Sequence, residues 1–164
     1  MTISIETLRE LRHEFHRFPE LGFQETQTKR KIAKFLRAKG LEVVEGVGVV
    51  GILRSGAGKK TIGLRADMDA LPIQETSKHS YSSTHPGVMH ACGHDGHMTM
   101  LLGAAEELAH SLDFDGTVIF IFQPNEENGL GAKAMLDEGL LSKFPISDIF
   151  ALHNLPGIET GHLM

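Results

Sequence analysis

Tryptophan is absent from this chain of 164 residues, and tyrosine and cysteine occur once each. The scarcity of stacking aromatics and a net charge of −5 argue against a nucleic-acid-binding function. One cysteine cannot form an internal disulfide, which favours a reducing compartment. No apolar run approaches the roughly 20 residues that span a bilayer, and the N-terminus lacks the apolar core of a signal peptide. We therefore expect a cytoplasmic protein that binds neither nucleic acid nor membranes.

Apolar residues follow helical spacing in some stretches and form short continuous runs in others. Helices are predicted over 5–15, 25–39, 96–110 and 131–138, and strands over 41–44, 47–53, 61–65, 117–122 and 148–152. The predicted strands alternate with helices, and this pattern is typical of an α/β fold with a largely parallel central sheet.

The segment 90–97 reads His-Ala-Cys-Gly-His-Asp-Gly-His and contains the chain's cysteine. Imidazole and thiolate are ligands of zinc and similar divalent ions. A buried structural thiol is the alternative for Cys92 taken alone, but the surrounding histidines favour metal binding. The segment predicts one wall of a metal site, with Cys92 and His94 as ligands and His90 and His97 in supporting positions.

Polar side chains also follow the ends of three predicted strands. They are Asp67 and Asp69, Glu126 and Glu127, and His153. Sites in open α/β sheets form at the carboxyl ends of strands, so we expect these residues to meet the 90–97 segment. The adjacent glutamates are expected to diverge, one binding metal and the other acting as a general base. The alternatives are an exposed glutamate pair, a hydrogen-bonded His153 and aspartates that cap a turn.

Segments 11–23, 64–73, 87–97, 123–128, 131–135 and 152–156 together resemble the amidohydrolase branch of the aminoacylase/carboxypeptidase metallopeptidase family. That branch contains N-acyl-amino-acid amidohydrolases, hippurate hydrolases and plant auxin-conjugate hydrolases. The resemblance implies a three-layer catalytic domain of the zinc-peptidase type, and it extends in order along essentially the whole chain.

The resemblance also implies a two-metal hydrolase of N-acyl amino acids or related amide conjugates. The matching metal ligands are Cys92, His94, Glu127 and His153. Glu126 matches the general base that acts on a metal-bound water, and Asp69 matches an aspartate that supports the site. The resemblance does not distinguish zinc, manganese, cobalt and nickel.

Two departures from the family pattern affect the expected activity. Asn125 and Asn128 stand where the family usually has alanine and glycine. Family members are also more than twice as long, with a lid and dimerisation domain inserted after this part. We therefore expect residues 1–164 to form the N-terminal segment of the catalytic domain, incomplete at its C-terminal side. We expect this segment to bind metal weakly, to have little or no activity and to self-associate through exposed apolar surface. The full-length protein is expected to be a homo-oligomer.

Three alternative functions remain open at the level of sequence. A dipeptidase or deacetylase of the same family would use the same residues on another amide. A thiol hydrolase would use Cys92 as a nucleophile activated by a histidine. A non-catalytic metal-binding module would hold the ion without using Glu126.

Overall fold

A computed structural model of the chain describes residues 3–162. The helices are α1 (Ile5–Arg17), α2 (Thr26–Ala38), α3 (His94–Ser111), α4 (Gly131–Asp137) and α5 (Leu140–Lys143). The strands are β1 (Glu42–Glu45), β2 (Val49–Ser55), β3 (Thr61–Asp67), β4 (Gly116–Gln123) and β5 (Asp148–Ala151). Every predicted helix and strand is present. The sequence pattern missed the short α5, and it placed the start of α3 two residues too late, at 96 instead of His94.

The strands described within residues 3–162 form one mixed sheet in the order β1-β2-β4-β3-β5. Strands β3 and β4 are parallel, as are β3 and β5. Strand β2 is antiparallel to both of its neighbours, β1 and β4. The α/β fold is therefore confirmed. The sheet is largely parallel in the sense that β2 alone, among the described strands, runs in the opposite direction.

Side chains of β4 alternate between the two faces of the sheet, as expected for a strand buried on both sides. Val118, Phe120 and Phe122 pack in the larger core beneath α1, α2 and α3. Ile119 and Ile121 pack on the other face with Met135 of α4 and with Leu140 of α5. Helices therefore cover both faces, which gives the three expected layers.

Strand β5 is more exposed than the rest of the sheet. Its Ile149 and Phe150 are exposed, and Leu152 and Leu155 continue this apolar surface beyond the strand. The expected exposed apolar surface is thus present along one sheet edge, and self-association through it remains a prediction. None of the described helices is long and apolar enough to cross a membrane.

Candidate metal centre

The carboxyl ends of β3, β4 and β5 meet the start of α3 at one edge of the sheet. The parallel register pairs Asp67 with Gln123 and Arg65 with Ala151, so the segments that follow these strands begin side by side. Ligand atoms of Cys92, His94 and Glu127 lie within 4.8 Å of one another. The fold therefore brings together three of the four predicted ligands in one group. The fourth, His153, places Nε2 3.5 Å from Cys92 Sγ.

His94 is completely buried, and its two ring nitrogens are used differently. Nδ1 donates a hydrogen bond of 2.8 Å to the Asp69 carbonyl oxygen, which leaves the lone pair of a neutral ring on Nε2. Nε2 lies 3.7 Å from Glu127 Oε1 and 3.8 Å from Glu126 Oε2. These distances are too long for hydrogen bonds, and Nε2 has no partner within residues 3–162. A buried imidazole lone pair that faces carboxylate oxygens fits a cation between them.

The surroundings of His94 are strongly anionic. Burial alone would lower the pKa of His94, but the hydrogen bond to Asp69 and the charge of Asp67 raise it above its ordinary value. Burial likewise opposes the ionisation of Asp67, yet the hydrogen bond from His97 and the charges of His94 and Arg65 lower its pKa to about 2. The arrangement therefore favours positive charge at the centre of the cluster.

Cys92 differs from a pre-activated nucleophile. Burial and the negative charge of Glu127 raise the pKa of the Cys92 thiol to about 11. A thiol in this setting stays protonated at neutral pH until a cation displaces the proton. The chemistry of the donor set, a thiol, an imidazole and a carboxylate, suits zinc-like divalent ions.

The turn that carries Glu126 and Glu127 is held by two carboxylates from elsewhere in the chain. Asp69 Oδ2 accepts the Glu127 N–H at 3.1 Å, and Glu25 Oε1 accepts the Asn125 N–H at 2.9 Å. The expectation that the two glutamates diverge was wrong, because both reach towards His94 Nε2. Asn125 has a φ of +46°, so the chain leaves β4 in a turn where strand alternation no longer applies.

Asp69 and His97, which the sequence predicted as supporting residues, both lie next to the possible ligands. Asp69 contacts His94 and the turn after β4, while His97 Nδ1 donates to Asp67 Oδ1 at 2.7 Å. Asp67, His94, His97 and His153 form a second group whose ligand atoms lie within 4.8 Å of one another. The short bond between His97 and Asp67 already uses one atom of each, which favours a supporting role for both.

Sequence reasoning missed Glu25 and the role of His16. Glu25 immediately precedes α2 and is far in sequence from the turn that it holds, and nothing in its local pattern indicates a buried carboxylate. His16 is buried between two carboxylates, with Nδ1 2.9 Å from Asp95 and Nε2 3.2 Å from Glu75. His90 is also buried, and burial lowers its pKa to about 4; it lies outside both groups of possible ligands.

Comparison with known proteins identifies the family of this chain. The model of peptidase family M20/M25/M40 matches residues 63–164. The chain is 51% identical to hippurate hydrolase of Campylobacter jejuni over 149 residues, which cover 89% of the chain and 39% of the relative. It is 45% identical to IAA-amino acid hydrolase ILR1-like 5 of Arabidopsis thaliana, covering 90% and 35%. The chain therefore belongs to the M20 peptidase family, in its amidohydrolase branch.

A solved structure supports the fold. The Bacillus subtilis YXEP protein, described as a dinuclear metal binding peptidase from the M20 family, matches with a TM-score of 0.88 and 39% identity. The match covers 93% of this chain and 44% of that one. The chain thus spans about two fifths of the length of the relatives that it matches.

Proposed function

We propose that this chain carries part of the active site of a metal-dependent amidohydrolase that cleaves N-acyl amino acids or related amide conjugates. The observation that carries the proposal is the buried His94 Nε2, which faces Glu126 and Glu127 beside Cys92. Relatives named for hippurate, for IAA-amino acids and for N-acetylcysteine support this small-molecule substrate class. A dipeptidase or deacetylase of the same family is the nearest alternative, because the same residues would act on another amide.

The proposed ligands are Cys92, His94, Glu127 and His153, in a site that takes two divalent ions when complete. A divalent metal held there would polarise the amide carbonyl and lower the pKa of a water. The description of the YXEP protein as dinuclear supports two ions, and zinc, manganese, cobalt and nickel all remain candidates. Asp69 fixes the ring of His94 through its carbonyl oxygen, so that Nε2 faces the site.

Glu126 is the proposed general base. Its side chain is 37% exposed, more than that of Glu127 at 24%, so a water and a substrate can reach it. Glu126 takes a proton from the attacking water as the oxygen adds to the amide carbonyl. It then returns that proton to the nitrogen of the leaving amine when the C–N bond breaks, which leaves a carboxylic acid and an amine.

We further propose that residues 1–164 correspond to the N-terminal segment of the catalytic domain of the longer relatives. The shared coverage, about two fifths of these relatives, supports a match to part of a longer protein. We expect a chain of this extent to bind metal weakly and to turn over little or no substrate, because catalysis needs the complete positioned site.

Metal analysis of the purified chain tests the proposal. In equilibrium dialysis against excess Zn²⁺, we expect the wild-type chain and Glu126→Gln to bind zinc, and Cys92→Ala to bind much less. Equal zinc contents in the wild type and Cys92→Ala would contradict the assigned ligands. Hydrolysis of hippurate by the isolated chain at the rate of a full-length relative would contradict the assignment to an incomplete segment.

A thiol hydrolase is the second candidate, because Cys92 Sγ lies 3.5 Å from His153 Nε2. The carboxylates of Glu126 and Glu127 count against it, since negative charge disfavours a thiolate. A chelator separates the two: it would leave thiol-dependent activity intact, and iodoacetamide would abolish that activity in the absence of metal.

A further inference from the structure

Asn154 lies between the two segments that carry predicted ligands at this edge of the sheet. It directly follows His153, which lies in irregular chain after β5 and is exposed. We propose that Asn154 is a positioning residue that holds His153 beside Cys92 and His94 by binding His97 and packing against Gly93. The inference rests on the proposed function, because it concerns the placement of one proposed ligand.

The first support is a rigid anchor beneath Asn154. His97 on α3 is buried, and its Nδ1 donates to Asp67 Oδ1 at 2.7 Å. The other oxygen of Asp67 accepts from Arg65 Nη1 at 2.8 Å. Arg65 in turn donates from Nε and Nη2 to Gln123 Oε1, at 3.0 and 2.8 Å. Strands β3 and β4 and helix α3 therefore fix the His97 ring before Asn154 reaches it.

The second support is a double contact between His97 and Asn154. His97 Nε2 lies 2.6 Å from the side-chain Oδ1 of Asn154 and 3.2 Å from its backbone N. The side chain and the backbone of Asn154 thus both contact the same ring nitrogen of His97, which holds Asn154 against α3.

The third support is the fit of the Asn154 amide against Gly93. Gly93 separates Cys92 from His94 and has a φ of +90°, a conformation that favours glycine. A Cβ at this position would lie 2.4 Å from Asn154 Oδ1. The Asn154 amide thus occupies the space that a side chain at Gly93 would need. Asn154 therefore connects the backbone between Cys92 and His94 to the segment that carries His153.

The consequence for His153 is a defined ring orientation. Its Nδ1 donates to the carbonyl oxygen of Asn154 at 2.7 Å, which leaves Nε2 facing Cys92 Sγ. The ring centroid lies 4.6 Å from that of His97. Because His153 itself is exposed, we expect this orientation to depend on Asn154 remaining docked.

Nuclear Overhauser contacts in the metal-free chain test the positioning without reference to metal. We expect contacts between the ring protons of His97 and His153 in the wild type. They should disappear in Asn154→Ala and persist in Leu155→Ala, which changes an adjacent side chain that is 57% exposed. Unchanged ring contacts in Asn154→Ala, with the fold retained by circular dichroism, would overturn the proposal.

Titration with Co²⁺, followed by its absorption spectrum, tests the consequence for binding. We expect Asn154→Ala to weaken Co²⁺ binding by about tenfold, the lower end of the loss seen when partners of metal ligands are removed. The double variant Asn154→Ala/His153→Ala should bind no more weakly than His153→Ala, because Asn154 acts through His153. Additive losses would overturn the proposal. Ring contacts without any Co²⁺ binding by the wild type would instead contradict the proposed metal site.

Discussion

Two clusters of histidine and carboxylate groups meet at the first turn of α3, and they differ in whether both ring nitrogens of the histidine have partners. Asp95 belongs to a cluster in which both ring nitrogens of His16 contact carboxylates, at 2.9 Å to Asp95 and 3.2 Å to Glu75. The preceding residue, His94, belongs to a cluster in which Nε2 has no partner within the described part of the chain. The His16 cluster is thus closed at both ring nitrogens of its histidine, whereas the His94 cluster is open at Nε2.

Residue type alone therefore does not identify a metal site in this chain. Both clusters contain a buried histidine and carboxylates, and each includes a residue of the 90–97 segment. Only the hydrogen bonds distinguish them, because a histidine with both nitrogens bound cannot also bind a metal. We therefore expect a division of roles, in which the His16 cluster stabilises the fold and the His94 cluster binds metal.

The largest expected effect is the loss of stability in His16→Ala. The variant leaves the buried carboxylate of Asp95 with Arg12 alone and removes a partner of Glu75. We expect the free energy of unfolding to fall by about 3 kcal/mol, as for a broken buried ion pair, measured by urea denaturation. Cys92→Ala should change it by less than about 1 kcal/mol. The reverse order of the two variants would contradict the division between the clusters.

Added metal should stabilise the chain through the other cluster. At a hundredfold excess of free Zn²⁺ over its Kd, we expect the free energy of unfolding to rise by about 2.7 kcal/mol. The rise should vanish in Cys92→Ala and persist in His16→Ala, as measured by thermal or urea unfolding with and without a chelator. A zinc effect that survives in Cys92→Ala would show that the ion binds elsewhere.

The stability of the chain should depend on pH through His16. The hydrogen bond to Asp95, with the neighbouring charges, raises the pKa of His16 above 6.5. A raised pKa contributes stability that is fully present below pH 6.5 and is lost as the pH rises through the folded-state value. The stability difference between the wild type and His16→Gln should therefore shrink from pH 6 towards pH 9. A difference that grows over this range would contradict a buried histidine cation.

The carboxylate of Glu75 should not interfere with that test. Burial alone would raise its pKa, but hydrogen bonds from Ser77, the Ser83 N–H and His16 lower the pKa of Glu75 to about 2. Glu75 therefore stays ionised throughout the range from pH 6 to pH 9, so that the change can be assigned to His16.

The smallest expected effect concerns Glu25 and separates hydrogen bonding from charge. Burial raises the pKa of Glu25, so its charge costs stability while its oxygen holds the Asn125 N–H. Glu25→Gln keeps the acceptor and should change the free energy of unfolding by less than about 1 kcal/mol. Glu25→Ala leaves a buried N–H unpaired and should cost about 1–3 kcal/mol. Equal effects of both variants in urea denaturation would contradict a role for this hydrogen bond.

The sequence was informative where a pattern is local. Helical spacing and apolar runs predicted the helices and strands, and the 90–97 motif together with the strand ends indicated the candidate site. The hydrogen-bond partners of the site were not predictable in the same way. Glu25 contacts a turn 100 residues further along the chain, and Asn154 contacts His97 across 57 residues. These contacts depend on how distant segments pack. The local sequence around Glu25 is that of an ordinary helix start, and the local sequence around Asn154 is that of an ordinary turn.

Zinc K-edge X-ray absorption of the zinc-loaded chain tests the central claim most directly. If the open cluster binds the ion, the wild type should show one sulfur at about 2.3 Å with nitrogen and oxygen ligands. The sulfur should disappear in Cys92→Ala and remain in His16→Ala. Zinc surrounded only by nitrogen and oxygen in the wild type, or a sulfur signal lost in His16→Ala, would contradict the account.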